Sequence, residues 1–235
     1  MRVLKPFLIL LSVIITITFL YFENHFSGIF LGVAVLFYLF SSVIHLLAHE
    51  SGHFIGGIIS GYKLLYLQLG PINIIVKRNN KPTILWKVSL NKQCVMIPKQ
   101  IKLVRFKAYN LGGIFANILV MFSSLILLLC DSLYYSLLLI ELLCVGMQKV
   151  LLNAIPHKMN SIPNDGYIVK LLKNNNAVQK DYAMYLRLYG SLFLNEEDVS
   201  LQDYIYEREI SINIDEMLYY NEIQNILNSL KVEKD

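Results

Sequence analysis

Residues 29–53 read IFLGVAVLFYLFSSVIHLLAHESGH. From Ile29 to Leu47 there is no Asp, Glu, Lys or Arg, over a length close to the about 20 residues that a bilayer core demands of a helix. The run continues without a break into Ala48-His49-Glu50-Ser51-Gly52-His53. The apolar part predicts a membrane helix, and its tail carries ionisable groups. The rest of the chain agrees. Of 235 residues, 55% are hydrophobic and 16% charged, against about 25% charged in a soluble domain. That excludes a disordered chain and argues against a water-soluble globule. Fifteen Tyr and twelve Phe suit aromatic belts at the two interfaces. Cys94, Cys130 and Cys144 show no CxxC spacing, so neither a disulfide framework nor a cysteine zinc cluster is implied. Cys130 and Cys144 read as small apolar fillers within spans.

Outward from this stretch, three further apolar runs read as spans. The first, Phe7 to Tyr21, follows Arg2 and Lys5. Residues 22–28 (FENHFSG) offer no small-x-small cleavage site, so the run reads as a retained membrane helix. The others are Leu111 to Cys130 and Leu133 to Leu152, with Asp131 and Ser132 as a short turn between them. Gly61–Lys107 holds ten Lys or Arg and no Asp or Glu. A nucleic-acid patch is one reading of that charge; a cytoplasmic loop obeying the positive-inside rule is the better one. Glu23 and Asp131 lie in the opposite loops, which lack Lys and Arg, so both termini are expected in the cytosol. Within the basic stretch, Leu64–Leu69, Ile72–Val76 and Ile84–Leu90 are β-prone, and Arg78-Asn79-Asn80-Lys81-Pro82 marks a hairpin turn. From Lys149 onward the chain carries nine basic and thirteen acidic residues. Residues 170–235 read as a helical cytosolic appendage, with Met217, Leu218, Ile223, Ile226, Leu227 and Leu230 at helical spacing. The expected fold class is thus an all-α polytopic membrane protein of four helices. It has a small β-rich loop at 61–107 and a helical C-terminal region. The expected organisation is an N-terminal span and external loop (1–27), a core (28–166, with spans about 29–52, 111–130 and 133–152) and the appendage (167–235).

His49-Glu50-Ser51-Gly52-His53 is HExxH. Residues i and i+4 of a helix share a face, so both imidazoles can grip one metal ion. Two imidazoles and one oxygen ligand suit zinc with an open fourth position, and zinc lowers the pKa of its water to about 7. Glu50, near the same face, is placed to take up a proton. Ionisable groups at the end of a span are costly to keep there without a partner. The third ligand is open: Asp165, in Pro163-Asn164-Asp165-Gly166, is the best candidate, and Asp before Gly is also a common turn pair. Asn117, in Gly112-Gly113-Ile114-Phe115-Ala116-Asn117, is a buried polar residue by pattern. It could clamp two helices or hold a peptide carbonyl near the metal, and the paired glycines could let helices approach closely. His45, four residues before His49, is either a group that fixes the zinc ligands or a buried polar residue bonded to another helix.

HExxH in a membrane helix, GGxxxN in a later span, then Asn153-Ala154-Ile155-Pro156 followed by Asp165-Gly166, in that order, resembles the site-2 protease family of intramembrane zinc metalloproteases. The matching region runs from Gly28 to Gly166, more than half the chain. The resemblance implies one zinc ion held by His49, His53 and Asp165, with Glu50 as catalytic acid/base. It also implies that Asn117 holds the substrate or stabilises the oxyanion, while Asn153 and Pro156 shape the approach of the Asp165 segment. The family places its aspartate nearer the motif asparagine and after a leucine; here His157–Ile162 is inserted and Asn164 precedes Asp165. A loop can absorb that insertion, and His157 within it is a competing ligand.

The activity so implied is hydrolysis of a peptide bond in a membrane peptide or single-span protein, with the lipid bilayer as surroundings and no nucleic-acid partner. The β-prone loop offers an edge to which an unwound substrate can add as a strand. Small size and the lack of a recognition domain suggest a bacterial enzyme of the cytoplasmic membrane. Two other classes compete. One is a non-catalytic relative that binds substrate or metal, although His49, Glu50 and His53 are all present. The other is a metal transporter with His45, His49, His53 and Asp165 as its path; such transporters are commonly built from repeats, and the chain shows none.

Overall fold

Apolar sequence without charge has to satisfy its own backbone, and a helix does so locally. The computed structural model describes residues 4–23, 27–69, 72–76, 82–86, 92–99, 105–130, 135–159 and 162–173, together with 176, 178–180, 182, 183, 186 and 187. Its four long helices coincide with the four apolar runs: α1 (Leu4–Phe22), α2 (Gly28–Ile59), α3 (Phe106–Cys130) and α4 (Ser136–Ala154). All four are long and apolar enough to cross a membrane. The 32 residues of α2 make it about 48 Å long at 1.5 Å per residue, so HExxH continues as helix well past the apolar run. Gly61, at φ +78°, turns the chain out of α2, and its N–H donates to the Ile58 carbonyl at 2.9 Å. Glycine is suited to this left-handed end because it has no Cβ to clash.

The chain forms two compact units, Met1–Gly56 with Asn110–Ile168, and Gly57–Tyr109 with Val169–Asp235. In the first, α1 packs on α4. Leu8, Ser12, Thr16 and Leu20 form the buried stripe of α1, each four residues from the next. Half of that stripe is polar, and so is what it meets. Thr16 donates to Glu141 Oε1 at 2.6 Å, Gln148 donates to Ser12 Oγ at 2.5 Å, and Tyr38 of α2 donates to Gln148 Oε1 at 3.1 Å. The uncovered faces of these helices are apolar, with Ile29, Leu36, Phe40, Phe115, Phe122 and Leu129 all exposed. The helices α2 and α3 cross where Gly52 meets Gly112. A Cβ on Gly52 would come within 2.6 Å of the Gly112 carbonyl carbon, and one on Gly112 within 2.7 Å of the Gly52 carbonyl carbon.

The second unit contains an antiparallel sheet in the order β3-β2-β1-β4, made of β1 (Tyr62–Leu69), β2 (Ile72–Val76), β3 (Pro82–Trp86) and β4 (Lys92–Pro98). Three of these strands overlap the β-prone pieces. The fourth, β4, was not foreseen: Cys94-Val95-Met96-Ile97 is a continuous apolar run, and alternation is the stronger signature of a half-buried strand. The register of β1 on β4 shifts between Leu64 and Tyr66. Such a bulge changes the parity of the buried face, so Tyr62 is buried before it and Leu65 and Leu67 after it. Tyr109 donates to the Cys94 carbonyl at 2.8 Å and lies 5.2 Å from the Tyr62 ring. The helical reading of the C-terminal region meets helical residues at 176, 178–180, 182, 183, 186 and 187, and everything after 187 lies outside the described residues. The inserted segment after α4 forms a small hairpin instead of an open loop, with β5 (Lys158–Met159) paired to β6 (Ile162–Pro163). The short helix α5 (Asp165–Leu172) follows it.

Candidate metal centre

Helical spacing puts His45, His49 and His53 on one face of α2, and all three are buried. His49 Nε2 and His53 Nε2 stand 3.1 Å apart, with their rings edge to face at 87°. Asp165, the first residue of α5, brings Oδ2 to 3.3 Å from His49 Nε2 and Oδ1 to 3.5 Å from His53 Nε2. Among the described residues these three form the group able to hold a metal ion. The competing ligand His157 is elsewhere engaged: its Nδ1 lies 3.0 Å from the Ile155 carbonyl and 2.8 Å from Asn164 Nδ2.

The separations can be tested against a metal. Zinc bonds to nitrogen and oxygen are about 2.0–2.1 Å in tetrahedral sites, and the edge of that tetrahedron is then about 3.3–3.4 Å. The two imidazole nitrogens stand 3.1 Å apart, and each faces its own oxygen of Asp165, Oδ2 at 3.3 Å and Oδ1 at 3.5 Å; these separations lie near that edge, with the carboxylate straddling the pair. Asp165 Oδ2 is moreover buried without a hydrogen bond, despite its approach to His49. A buried carboxylate oxygen normally has a partner, and a cation between the three groups would supply one. Burial pushes the Asp165 carboxyl up, but the neighbouring imidazoles of His49 and His53 outweigh it and hold the group well below the usual carboxylate range. That direction favours the anionic form, the form in which a carboxylate ligates a metal.

The elements reach this arrangement through small residues and one asparagine. Gly113 of α3 lies under the imidazoles: a Cβ there would be 2.6 Å from His49 Nδ1 and 2.7 Å from His53 Nε2. Gly166 lies against the end of α4, where a Cβ would be 2.7 Å from the Ala154 carbonyl carbon and 2.9 Å from the Asn153 oxygen. Asn164 then ties the two helices together. The two hydrogens of its Nδ2 are shared among the carbonyls of Leu152 (2.8 Å), Asn153 (3.1 Å) and Ile155 (2.8 Å), the last turn and C-cap of α4. Its Oδ1 accepts from His157 N at 3.1 Å and from Tyr167 N at 2.9 Å, the second as an N-cap of α5. Asn164, the residue before Asp165, is thus the clamp that ties the start of α5 to the end of α4. Its Asn-Asp-Gly context signals a turn, but not which helix end the side chain would hold.

The remaining candidates fall as follows. Glu50 is buried beside His49 in the chain. Asn117 is fully buried, with Oδ1 3.0 Å from His45 Nδ1 and Nδ2 3.2 Å from His49 Nδ1. His45 does not join the metal group; its Nε2 lies 2.8 Å from the Leu142 carbonyl of α4. Asn153 donates to Lys149 within its own helix at 2.9 Å. Ile155, extended at ψ 116°, ends α4, as the residue before Pro156 is biased to do. Compared with protein-family models, curated proteins and solved structures, the chain finds no match.

Proposed function

We propose that this chain is a membrane-spanning zinc metalloprotease of the site-2 protease type, which hydrolyses a peptide bond of a membrane-embedded peptide or single-span protein. The observation that carries the reading is the meeting of His49, His53 and Asp165 at separations that a metal ion such as zinc could bridge. The four apolar helices support the membrane setting, because faces such as those of Leu36 and Phe122 are suited to lipid and not to water.

Zinc bound by the three side chains would polarise the scissile carbonyl and bring water to a pKa of about 7. Glu50 accepts the proton of the attacking water and passes it to the leaving amine, the two halves of general acid–base work by one carboxyl. His49 and His53 would hold the ion as neutral donors and Asp165 as an anionic one, a ligand set that would leave a divalent cation with net positive charge. Gly113 and the Gly52–Gly112 crossing leave the imidazoles space close to α3. The substrate has to unwind, since a helical carbonyl is already bonded, and the sheet edges β3 and β4 are able to pair with an extended segment. The positive charge of the stretch 61–107 supports a cytosolic position for that sheet under the positive-inside rule.

The test combines two measurements. Purified protein should contain one zinc per chain, lost in His49→Ala. Membrane proteomics of wild type against Glu50→Gln should reveal a peptide that accumulates uncleaved in the variant. A metal-free wild type, or a Glu50→Gln membrane indistinguishable from wild type, refutes the proposal.

A further inference from the structure

We infer that His45 and Asn117 are positioning residues which lock His49 in the tautomer that binds a cation, with its proton on Nδ1 and the lone pair of Nε2 turned toward His53 and Asp165. The inference rests on the reading of that group as a metal centre.

The chain of reasoning starts from one unambiguous acceptor. His45 is fully buried, and its Nε2 lies 2.8 Å from the Leu142 carbonyl oxygen. A carbonyl can only accept, so His45 carries a proton at Nε2, and a neutral ring then has its lone pair at Nδ1. The end of the Asn117 amide that faces Nδ1 at 3.0 Å must therefore be the NH2 group. That leaves the amide oxygen at the other end, 3.2 Å from His49 Nδ1, where it accepts the Nδ1 proton. The two ends of an amide have nearly the same shape, so turning it by 180° keeps both separations. In the opposite setting, with Oδ1 toward His45, both ring nitrogens of His45 would have to donate. That would be an imidazolium, fully buried between two neutral partners, which is costly. It would also place the His49 proton on Nε2, where the cation has to bind. Only one direction of hydrogen bonding serves every group once the metal is present: His49 to Asn117, Asn117 to His45, His45 to Leu142.

The surroundings hold this relay in place. Gly146, one turn after Leu142 in α4, leaves room for the ring: a Cβ there would be 2.7 Å from His45 Cε1 and 2.9 Å from Nε2. A hydrogen bond at the far nitrogen decides which nitrogen of a histidine takes the metal, and losing such a partner commonly weakens metal binding by about 10–100-fold. With both amide ends engaged, Asn117 acts on the ligand and not on a substrate carbonyl.

Zinc affinity of the full chain in detergent, measured by chelator competition, tests this in Asn117→Leu and Asn117→Asp beside wild type, with thermal unfolding of the metal-free proteins in parallel. Leu keeps the bulk and removes the acceptor; Asp keeps the acceptor and adds a buried charge. The expected result is a loss of about 10–100-fold for Leu, a smaller loss or none for Asp, and the reverse order in unfolding temperature. A helix clamp alone would give affinities that follow stability, with Asp worst, and that result overturns the inference. The 15N spectrum of histidine-labelled, zinc-loaded wild type offers an independent check, with His45 expected in the Nε2–H form and an Nδ1–H or doubly protonated ring overturning it. Wild type that binds no zinc defeats the metal-centre reading itself. Wild type that binds it, with Asn117→Leu equally tight, defeats this inference alone.

Discussion

Gly113 has no side chain, yet one added carbon there would touch both His49 and His53. Gly113→Ala should weaken zinc binding at least about tenfold while leaving the helices formed, because the carbon meets side chains and not backbone; chelator competition with circular dichroism checks both halves. Asn164→Ala acts at a distance on the same ion. It removes the N-cap of α5 and uncovers three α4 carbonyls, at a cost of about 1 kcal/mol for the cap alone. Asp165 should then lose its place, and zinc affinity should fall although no ligand has changed. An affinity equal to wild type would show that the hairpin β5–β6 positions Asp165 without the clamp.

Helix against helix, two different kinds of contact hold the first unit. Where α2 crosses α3, backbone meets backbone at Gly52 and Gly112, and the added carbon of Gly112→Ala strikes a main chain that cannot turn aside. Overpacking of this kind costs about 1–3 kcal/mol, seen as a lowered unfolding midpoint in mixed detergent. Between α1 and α4 the contact is a polar seam, from Thr16 and Glu141 to Ser12, Gln148 and Tyr38. Hydrogen bonds between membrane helices average about 0.6 kcal/mol. Thr16→Val should cost at least that amount, because it takes the partner from Oε1 of a carboxyl whose Oε2 already has none. The seam was not legible beforehand: Ser12 and Thr16 sit in a uniformly apolar run, and nothing local says which face of a span turns inward.

For the molecule as a whole, the proposed ion joins His49 and His53, in the first quarter of the chain, to a segment more than a hundred residues later, so binding and stability are linked. Zinc at a hundred times its dissociation constant should raise the unfolding free energy by about 2.7 kcal/mol, and a chelator should remove that increment from wild type but not from His49→Ala. Tags at the two termini should both be accessible from the cytosolic side, as the basic stretch 61–107 and the uncharged-or-acidic short loops require; protease protection in oriented vesicles reads this directly. The four apolar helices and the histidine pair could be read in advance because each depends on near neighbours: an apolar run must bond its own backbone, and residues four apart on a helix share a face. Asp165 stood open between turn residue and ligand, and Asn117 between clamp and substrate holder. Those choices depend on groups far apart in the chain, on Asn164 reaching the end of α4 and on His45 and His49 facing one amide from opposite sides. Contacts of that range exist only once glycines have let the helices close upon one another, and only the folded chain could decide them.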